Sequence, residues 1–170
     1  SNLDDFSHDL ELRIGAMASI HELLYESTEV TAIGVGALLE RLASELTHAF
    51  YWATITVTAD PVTLRLETAI PLALIANELI ANAAKHARPE TGGGDVAAGC
   101  TVRVYCRDAD GSPELRVEDD GPGFPRGFSV DDASGLGLRL VHALVDQLSG
   151  TITVSNADTG GGRVVVRLPV

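Results

Sequence analysis

Residues 72–87 carry two side-chain patterns that only a helix can place on separate faces. The apolar positions recur every three or four residues and would form one stripe: Leu72, Ile75, Leu79 and Ala83. Polar side chains follow the same spacing along a neighbouring stripe: Glu78, Asn82, Lys85 and His86. The pattern therefore predicts a helix that packs one side on a sheet and presents the other side to a cleft.

The polar stripe allows two interpretations. The amide oxygen of Asn82 is a hard ligand suited to Mg²⁺, and Lys85, the only lysine in the chain, is a compact charge suited to phosphate. Glu78 could act as a general base or hold a metal-bound water, and His86 could donate a hydrogen bond to phosphate. Alternatively, the stripe is a solvated face whose Lys85 and His86 meet the negative end of the helix dipole. On this helix alone, the solvated face is favoured.

Two segments further along the chain change this balance. In "VEDDGPGF", Asp119 ends an apolar strand, and Gly121 and Gly123 let backbone approach a flat ligand without an intervening Cβ. A carboxylate in that place can accept a hydrogen bond from an amino group such as that of adenine. In "SGLGLRLV", Gly135 and Gly137 stand where a loop enters a helix, whose first amides attract phosphate. A tight turn and a simple helix entry remain the alternatives.

The charge balance narrows the ligand class. The chain has 170 residues, a formal net charge of −12 and no basic run, which argues against nucleic acid and against an anionic membrane surface. A nucleotide stays possible because backbone amides and a metal can hold it. No apolar stretch approaches the roughly 20 residues that cross a bilayer, and no leader opens the chain. We therefore expect a cytoplasmic protein with no direct membrane contact.

Helical spacing comes first along the chain. One stripe is expected to pack on a neighbouring helix or on further protein: Leu10, Ile14, Met17, His21 and Leu24. A second stripe has the same expectation: Val35, Leu38, Leu39, Leu42, Leu46 and Phe50. The helix within 72–87 is expected to begin near Pro71. A last helical stripe contains Leu138, Val141, Val145 and Leu148, and it closes on Gly150.

Alternating residues predict strands between these helices, in six segments: 54–58, 62–67, 101–107, 114–119, 151–155 and 163–170. The third and fourth are expected to form a hairpin, with Cys100 and Cys106 as buried thiols on the apolar face. This order predicts an α+β protein, a two-layer sandwich of a mixed, mainly antiparallel sheet with helices on one face.

Taken in order, "NELIANAAKH", "DDGPGF" and "GLGLRLV" resemble the N, G1 and G2 boxes of the ATPase superfamily of histidine kinases, Hsp90-type chaperones, gyrase B subunits and MutL proteins. "RIGAMASIHELLYES" resembles the segment that leads into the catalytic domain of HisKA_2- and HWE-type sensor kinases. The resemblance implies a Bergerat-type sandwich over residues 28–170. It also implies that residues 1–27 are the residual C-terminal helix of a dimerisation and phosphotransfer hairpin.

The resemblance further implies a site for ATP and Mg²⁺. Glu78 would be catalytic, and Asn82 would hold the metal. The implied nucleotide-binding residues are Asn82, Lys85, His86, Asp119, Gly121, Gly123, Gly135, Leu136, Gly137 and Leu138. Residues 124–134 would form a short lid. Gly162 stands where many relatives carry threonine or serine, which puts one hydroxyl contact in question.

The implied activity is that of a protein-histidine kinase, with a phosphorylated histidine passing its phosphoryl group to a response-regulator receiver domain. The acceptor histidine is expected on a helix upstream of this chain, and the full-length kinase is expected to be a homodimer. His21 is expected to be structural, because it lies beside the apolar stripe of its helix. The alternatives are an anti-sigma-factor-type serine kinase or a non-catalytic nucleotide-binding or phosphotransfer module. A chaperone-like or DNA-repair ATPase comes third, because the chain and its lid are short.

Overall fold

A computed structural model describes residues 2–25, 32–88, 99–129 and 135–169 of the chain. Within these ranges the helices and strands follow in this order: α1 (Asn2–Tyr25), β1 (Ile33–Gly34), α2 (Val35–Ala49), β2 (Ala53–Ala59), β3 (Thr63–Leu64), α3 (Leu66–His86), β4 (Cys100–Ala109), β5 (Ser112–Asp119), α4 (Leu136–Gln147), β6 (Thr151–Asn156) and β7 (Gly162–Arg167). The predicted domain boundary at residues 27 and 28 lies outside the described residues, so it stays a prediction. None of the described helices is both long and apolar enough to cross a membrane.

Five strands form one mixed sheet in the order β2-β4-β5-β7-β6. The pair β2 and β4 is parallel, and the other three pairs are antiparallel. The predicted hairpin joins β4 to β5 through Asp110 and Gly111, whose φ angles of 55° and 84° are typical of a tight type I′ turn. The mixed, mainly antiparallel sheet is therefore confirmed.

The core lies between this sheet and helices α2, α3 and α4, which pack against one of its faces. Alternate residues of β4 point into the core, among them Val102, Val104 and Cys106. All six residues of the predicted α2 stripe are buried as well. The prediction of buried thiols is confirmed for Cys100 and Cys106, and burial raises the pKa of the Cys106 thiol to about 11.

Helix α1 packs with a different face from its apolar stripe. Leu10, Ile14 and Met17 are 45%, 57% and 56% exposed, whereas Ala16 and Ile20 are buried beside α2 and α3. The expectation that the stripe packs on a neighbouring helix of this chain is therefore wrong for its described side chains. Small and polar residues could occupy the interface instead because ion pairs between the helices supply part of the contact. Packing on further protein remains open.

Helix α3 begins at Leu66, so the entry predicted at Pro71 is wrong. The strand predicted over 62–67 is reduced to Thr63 and Leu64, which pair with β1. Proline has no backbone N–H, so it costs a helix one hydrogen bond. Residue 71 lies only one turn beyond the first amides of the helix, which lack helical partners in any case. Burial of the flanking Ala69 and Leu72 offsets the lost hydrogen bond.

Candidate functional site

A cavity of about 640 Å³ lies where α3, the end of β5 and the beginning of α4 meet. Its walls include eight of the residues expected from the sequence: Glu78, Asn82, His86, Asp119, Gly123, Gly135, Gly137 and Leu138. Of the other expected residues, Lys85 and Gly121 do not line it, and the side chain of Leu136 lies outside the described part of the structure. Residues as far apart in the chain as Asp9 and Val164 thus contribute to one concave surface.

The helix α3 divides its two faces as the sequence predicts. Leu72, Ile75 and Leu79 are buried in the core, while Asn82 is half-buried along the cavity and His86 is exposed at its edge. Glu78 is only 6% exposed although its carboxylate lines the cavity. Glu78, Asn82 and His86 therefore form part of the cavity wall, whereas Lys85 of the same stripe does not line the cavity.

Asp119 stands at the end of β5 with its two carboxylate oxygens in different environments. Oδ1 accepts backbone hydrogen bonds from Gly121 at 2.8 Å and from Gly162 at 3.2 Å. Oδ2 has no hydrogen-bond partner among the described residues, and Asp119 is 8% exposed. The two amides fix the orientation of the carboxylate and leave one acceptor for a ligand.

Gly162, at the start of β7, contacts Asp119 through its backbone amide rather than through a side chain. A Cβ at this position would lie 2.8 Å from Oδ2 of Asp119 and 3.0 Å from the Phe124 ring. Glycine therefore allows the last strand to approach the carboxylate and the aromatic ring closely.

The Asn156 side chain binds the backbone of Phe124 in the segment after β5, and we call this contact the clasp. Gly123 has a φ of 77°, and a Cβ there would lie 2.6 Å from the Gly160 carbonyl. Next to it, the backbone of Phe124 donates to Oδ1 of Asn156 at 2.7 Å and accepts from Nδ2 of the same side chain at 3.1 Å. Phe124 stacks on Phe128 at 5.0 Å, and both line the cavity.

Helix α4 begins beside Glu78. A Cβ on Gly137 would lie 2.5 Å from Oε2 of Glu78, so glycine is needed for α4 to pack this close to α3. Gly135 caps the helix in an extended conformation and offers no side-chain acceptor. The first amides of α4 are thus left without a capping side chain at the cavity, where an anion can bind.

Sequence reasoning missed the contribution of α1. Arg13 donates through Nε to Oε1 of Glu78 at 2.5 Å and through an Nη to Oε2 at 3.2 Å. The hydrogen bond with Glu78 raises the pKa of the Arg13 guanidinium. Asp9 lines the cavity and forms an ion pair with Lys85. The spacing of Asp9 and Arg13, one helical turn apart, was the available signal, but nothing local identifies their partners.

An α+β sandwich with this cavity agrees with one family of nucleotide-dependent proteins. The family model described as histidine kinase-, DNA gyrase B- and HSP90-like ATPase matches residues 67–170. The chain belongs to this family, and membership supports the use of ATP. A second model, described as histidine kinase, matches residues 2–50.

The relatives are sensor kinases. Blue-light-activated histidine kinase 2 of Erythrobacter litoralis is 31% identical over 151 residues, which are 82% of this chain and 42% of that protein. Sensor histidine kinase PdtaS of Mycobacterium tuberculosis is 27% identical over 162 residues, which are 93% of this chain and 31% of that protein. The chain thus spans less than half the length of either relative.

Solved structures agree with the fold. The histidine kinase domain of the E. litoralis EL346 blue-light activated kinase superposes with a TM-score of 0.80 at 27% identity, over 94% of this chain and 74% of that one. The ATP binding domain of PrrB from M. tuberculosis gives a TM-score of 0.66 at 26% identity, over 82% and 96% of the two chains. The predicted Bergerat-type fold and histidine kinase ATPase domain are confirmed, and the serine kinase and non-catalytic alternatives are not favoured.

Proposed function

We propose that this cavity binds Mg²⁺-ATP and that the chain is the catalytic domain that transfers the γ-phosphoryl group to a histidine on another helix. The observation that carries the proposal is the meeting of Glu78, Asn82 and Asp119 in one cavity, although Asp119 comes from a strand and the other two from a helix. Support also comes from PrrB, a relative at 26% identity whose solved domain is described as ATP binding.

The adenine end is assigned to Asp119. Its Oδ2 would accept a hydrogen bond from the exocyclic amino group, while Oδ1 stays with the two backbone amides. Val117 and Val164 of the sheet contribute apolar lining to the cavity, and Phe124 and Phe128 contribute aromatic lining. A flat base suits such a lining because both of its faces are apolar.

The metal would arrive with the nucleotide. No group of three or more His, Cys, Asp or Glu side chains in the described ranges is arranged to hold a metal ion. Mg²⁺ keeps several waters and is commonly held by one or two protein oxygens together with substrate phosphates. The amide oxygen of Asn82, half-buried on the cavity wall, suits that single protein contact. Bound there, Mg²⁺ would neutralise charge on the phosphates.

The phosphate end is assigned to the start of α4 and to the last turn of α3. The amides near Gly135 and Gly137 would receive phosphate oxygens, with Lys85 and His86 nearby as cationic and hydrogen-bonding groups. Glu78 would assist transfer as a general base once Arg13 releases its carboxylate.

The proposed setting of the domain is supported by its relatives, which are sensor kinases of greater length. We assign to the whole protein a phosphoacceptor helix, a response-regulator receiver domain as partner, a homodimeric state and a cytoplasmic location. The exposed apolar face of α1 supports the association of this helix with further protein. Its members are Leu3, Phe6, Leu10, Ile14 and Met17.

Calorimetric titration with Mg²⁺ and a non-hydrolysable ATP analogue tests the assignment. We expect the parent chain to bind and Asn82→Ala and Asp119→Asn to bind at least about tenfold more weakly, roughly 1.4 kcal/mol. Asp158→Asn is the matched control, because this exposed carboxylate lies in the turn after β6, outside the cavity. Equal affinities for all four proteins would remove Asn82 and Asp119 from the site.

Transfer itself is tested by adding a phosphoacceptor helix of a related sensor kinase in trans and measuring acid-labile phosphate on that helix. We expect Glu78→Gln to lower the transfer rate by about 10²- to 10⁴-fold, the usual contribution of a general base, while nucleotide affinity stays within a few-fold of the parent. A transfer rate equal to that of the parent would exclude Glu78 from this role.

A further inference from the structure

Two ion pairs join α1 to α3 at the edge of the cavity. In one pair the acid lies on α1, and in the other it lies on α3. Asp9 of α1 pairs with Lys85, and Arg13 of α1 pairs with Glu78. Asp9 and Arg13 lie one turn apart on α1, and Glu78 and Lys85 lie seven residues, or about two turns, apart on α3. The helices therefore run antiparallel, and each contributes one acid and one base to the contact.

Both α3 members of these pairs have a role in the proposed ATP site, Glu78 in the cavity wall and Lys85 through its contact with the cavity-lining Asp9. Lys85 is the only lysine in the chain and has been assigned to phosphate, and Asp9 itself lines the cavity. The two charged groups are about one-third exposed, at 35% for Lys85 and 36% for Asp9, so the pair is accessible to a competing anion. A triphosphate in this cavity would bring like charge against Asp9 and offer Lys85 another anionic partner.

We propose that Asp9 occupies the phosphate-binding lysine, so that docking of α1 and binding of the nucleotide triphosphate oppose each other at Lys85. This inference rests on the proposed function. Thermodynamic linkage makes the effect reciprocal: the docked helix lowers affinity for the triphosphate, and the triphosphate weakens docking of the helix by the same factor.

The second pair gives the docked state a catalytic consequence. Both carboxylate oxygens of Glu78 accept hydrogen bonds from Arg13, and the side chains of Glu78 and Arg13 are only 9% and 15% exposed. With both oxygens engaged by Arg13, the Glu78 carboxylate is oriented toward that guanidinium rather than toward a substrate. Release of α1 would therefore free Lys85 for phosphate and Glu78 for catalysis together.

Asp9→Asn tests the competition, with Glu11→Gln as its matched control. Glu11 is exposed on the same helix and does not line the cavity, and its substitution changes the net charge equally. We expect Asp9→Asn to raise affinity for the Mg²⁺-bound ATP analogue about two- to fivefold over the control, the range of a partly exposed ion pair. Affinity for adenosine, which carries no phosphate, should be the same for both.

A double-mutant cycle identifies the lysine as the shared group. In a Lys85→Gln background, Asp9→Asn should no longer raise affinity for the ATP analogue. A gain of the same size in that background would overturn the competition at Lys85, as would equal affinities of Asp9→Asn and Glu11→Gln. If no variant and no parent chain binds the analogue, the proposed function itself fails, and this inference fails with it.

Hydrogen exchange on the unaltered chain provides an independent test of the reciprocal effect. The Mg²⁺-bound ATP analogue at saturation should speed exchange of amides in α1 about two- to fivefold, matching the affinity gain, whereas saturating adenosine should not. Unchanged or slower exchange in α1 on binding the analogue would overturn the proposal, because the docked helix would then be compatible with the triphosphate.

Discussion

Comparing substitutions at Gly123 and Gly127 measures how much the clasp beside the cavity contributes to the free energy of unfolding. Their φ angles are 77° and 76°, so a change to alanine imposes the same backbone strain at both, about 1–2 kcal/mol. Their surroundings differ. A Cβ at residue 127 meets nothing within 4 Å, but one at residue 123 would lie 2.6 Å from the Gly160 carbonyl and 2.7 Å from Oδ1 of Asn156.

The additional cost at Gly123 follows from the hydrogen bonds it protects. Displacing the Asn156 side chain breaks its two bonds to the Phe124 backbone, each worth about 1 kcal/mol. We therefore expect Gly123→Ala to lower the free energy of unfolding by about 2 kcal/mol more than Gly127→Ala. Urea unfolding followed by circular dichroism measures both, and an unchanged denaturant slope keeps the comparison valid.

The same pair of variants links the clasp to the ligand. Phe124 and Phe128 line the cavity, and the clasp fixes Phe124, so Gly123→Ala should also weaken binding of the ATP analogue more than Gly127→Ala does. Unfolding free energies within about 0.5 kcal/mol of each other would refute the argument, because strain alone would then account for both substitutions.

Three further predictions concern the contact of α4 with α3, the core and a buried thiol. Gly137→Ala would place a Cβ 2.5 Å from Oε2 of Glu78, so the transfer rate in the trans assay should fall about ten- to a hundredfold; an unchanged rate would contradict this contact. Ile75→Ala, at a fully buried position, should lower the free energy of unfolding by about 2–5 kcal/mol. Ile14→Ala, at a position that is 57% exposed, should change it by less than about 0.5 kcal/mol. Equal losses in urea unfolding would refute the assignment of Ile75 to the core and Ile14 to the surface. The pKa of Cys106 is raised from 9.0 to about 11, so between these pH values the unfolded chain loses a proton that the folded chain keeps, and the free energy of unfolding should fall as pH rises. Cys106→Val should flatten that fall, and identical pH profiles would contradict the shift.

The sequence was sufficient for the parts of the site that depend on local period. Asn82 and Glu78 share a helical face by spacing alone, and Asp119 ends a strand that alternation identifies. The hairpin of β4 and β5 followed from two alternating segments joined by the turn-rich linker "DADGSP". These features need no knowledge of distant partners, so pattern and spacing predict them.

The face used by α1 could not be predicted in the same way. Ile14 and its apolar neighbours suggested a packing surface, but the buried apolar residues described in α1 are Ala16 and Ile20, and Arg13 binds Glu78 of α3. Arg13 lies 65 residues from its partner Glu78, and no local pattern connects such positions. An apolar stripe shows that a helix face avoids water, but it does not show which protein covers it.

Two other differences have local physical causes. Pro71 suggested a helix start because proline is favoured in a first turn, but α3 begins at Leu66 and accepts the loss of one backbone bond. The clasp of Asn156 on Phe124 spans 32 residues, and an asparagine at the end of a strand gives no sign of such a contact. Tertiary packing decides both cases.

A crystal structure of the chain grown with Mg²⁺ and a non-hydrolysable ATP analogue is the most direct measurement of the central claim. We predict electron density for one nucleotide in the cavity of about 640 Å³, with the adenine amino group within hydrogen-bond distance of Asp119 and the metal bound by Asn82. Nucleotide density at any other surface, with this cavity filled only by solvent, would contradict the account.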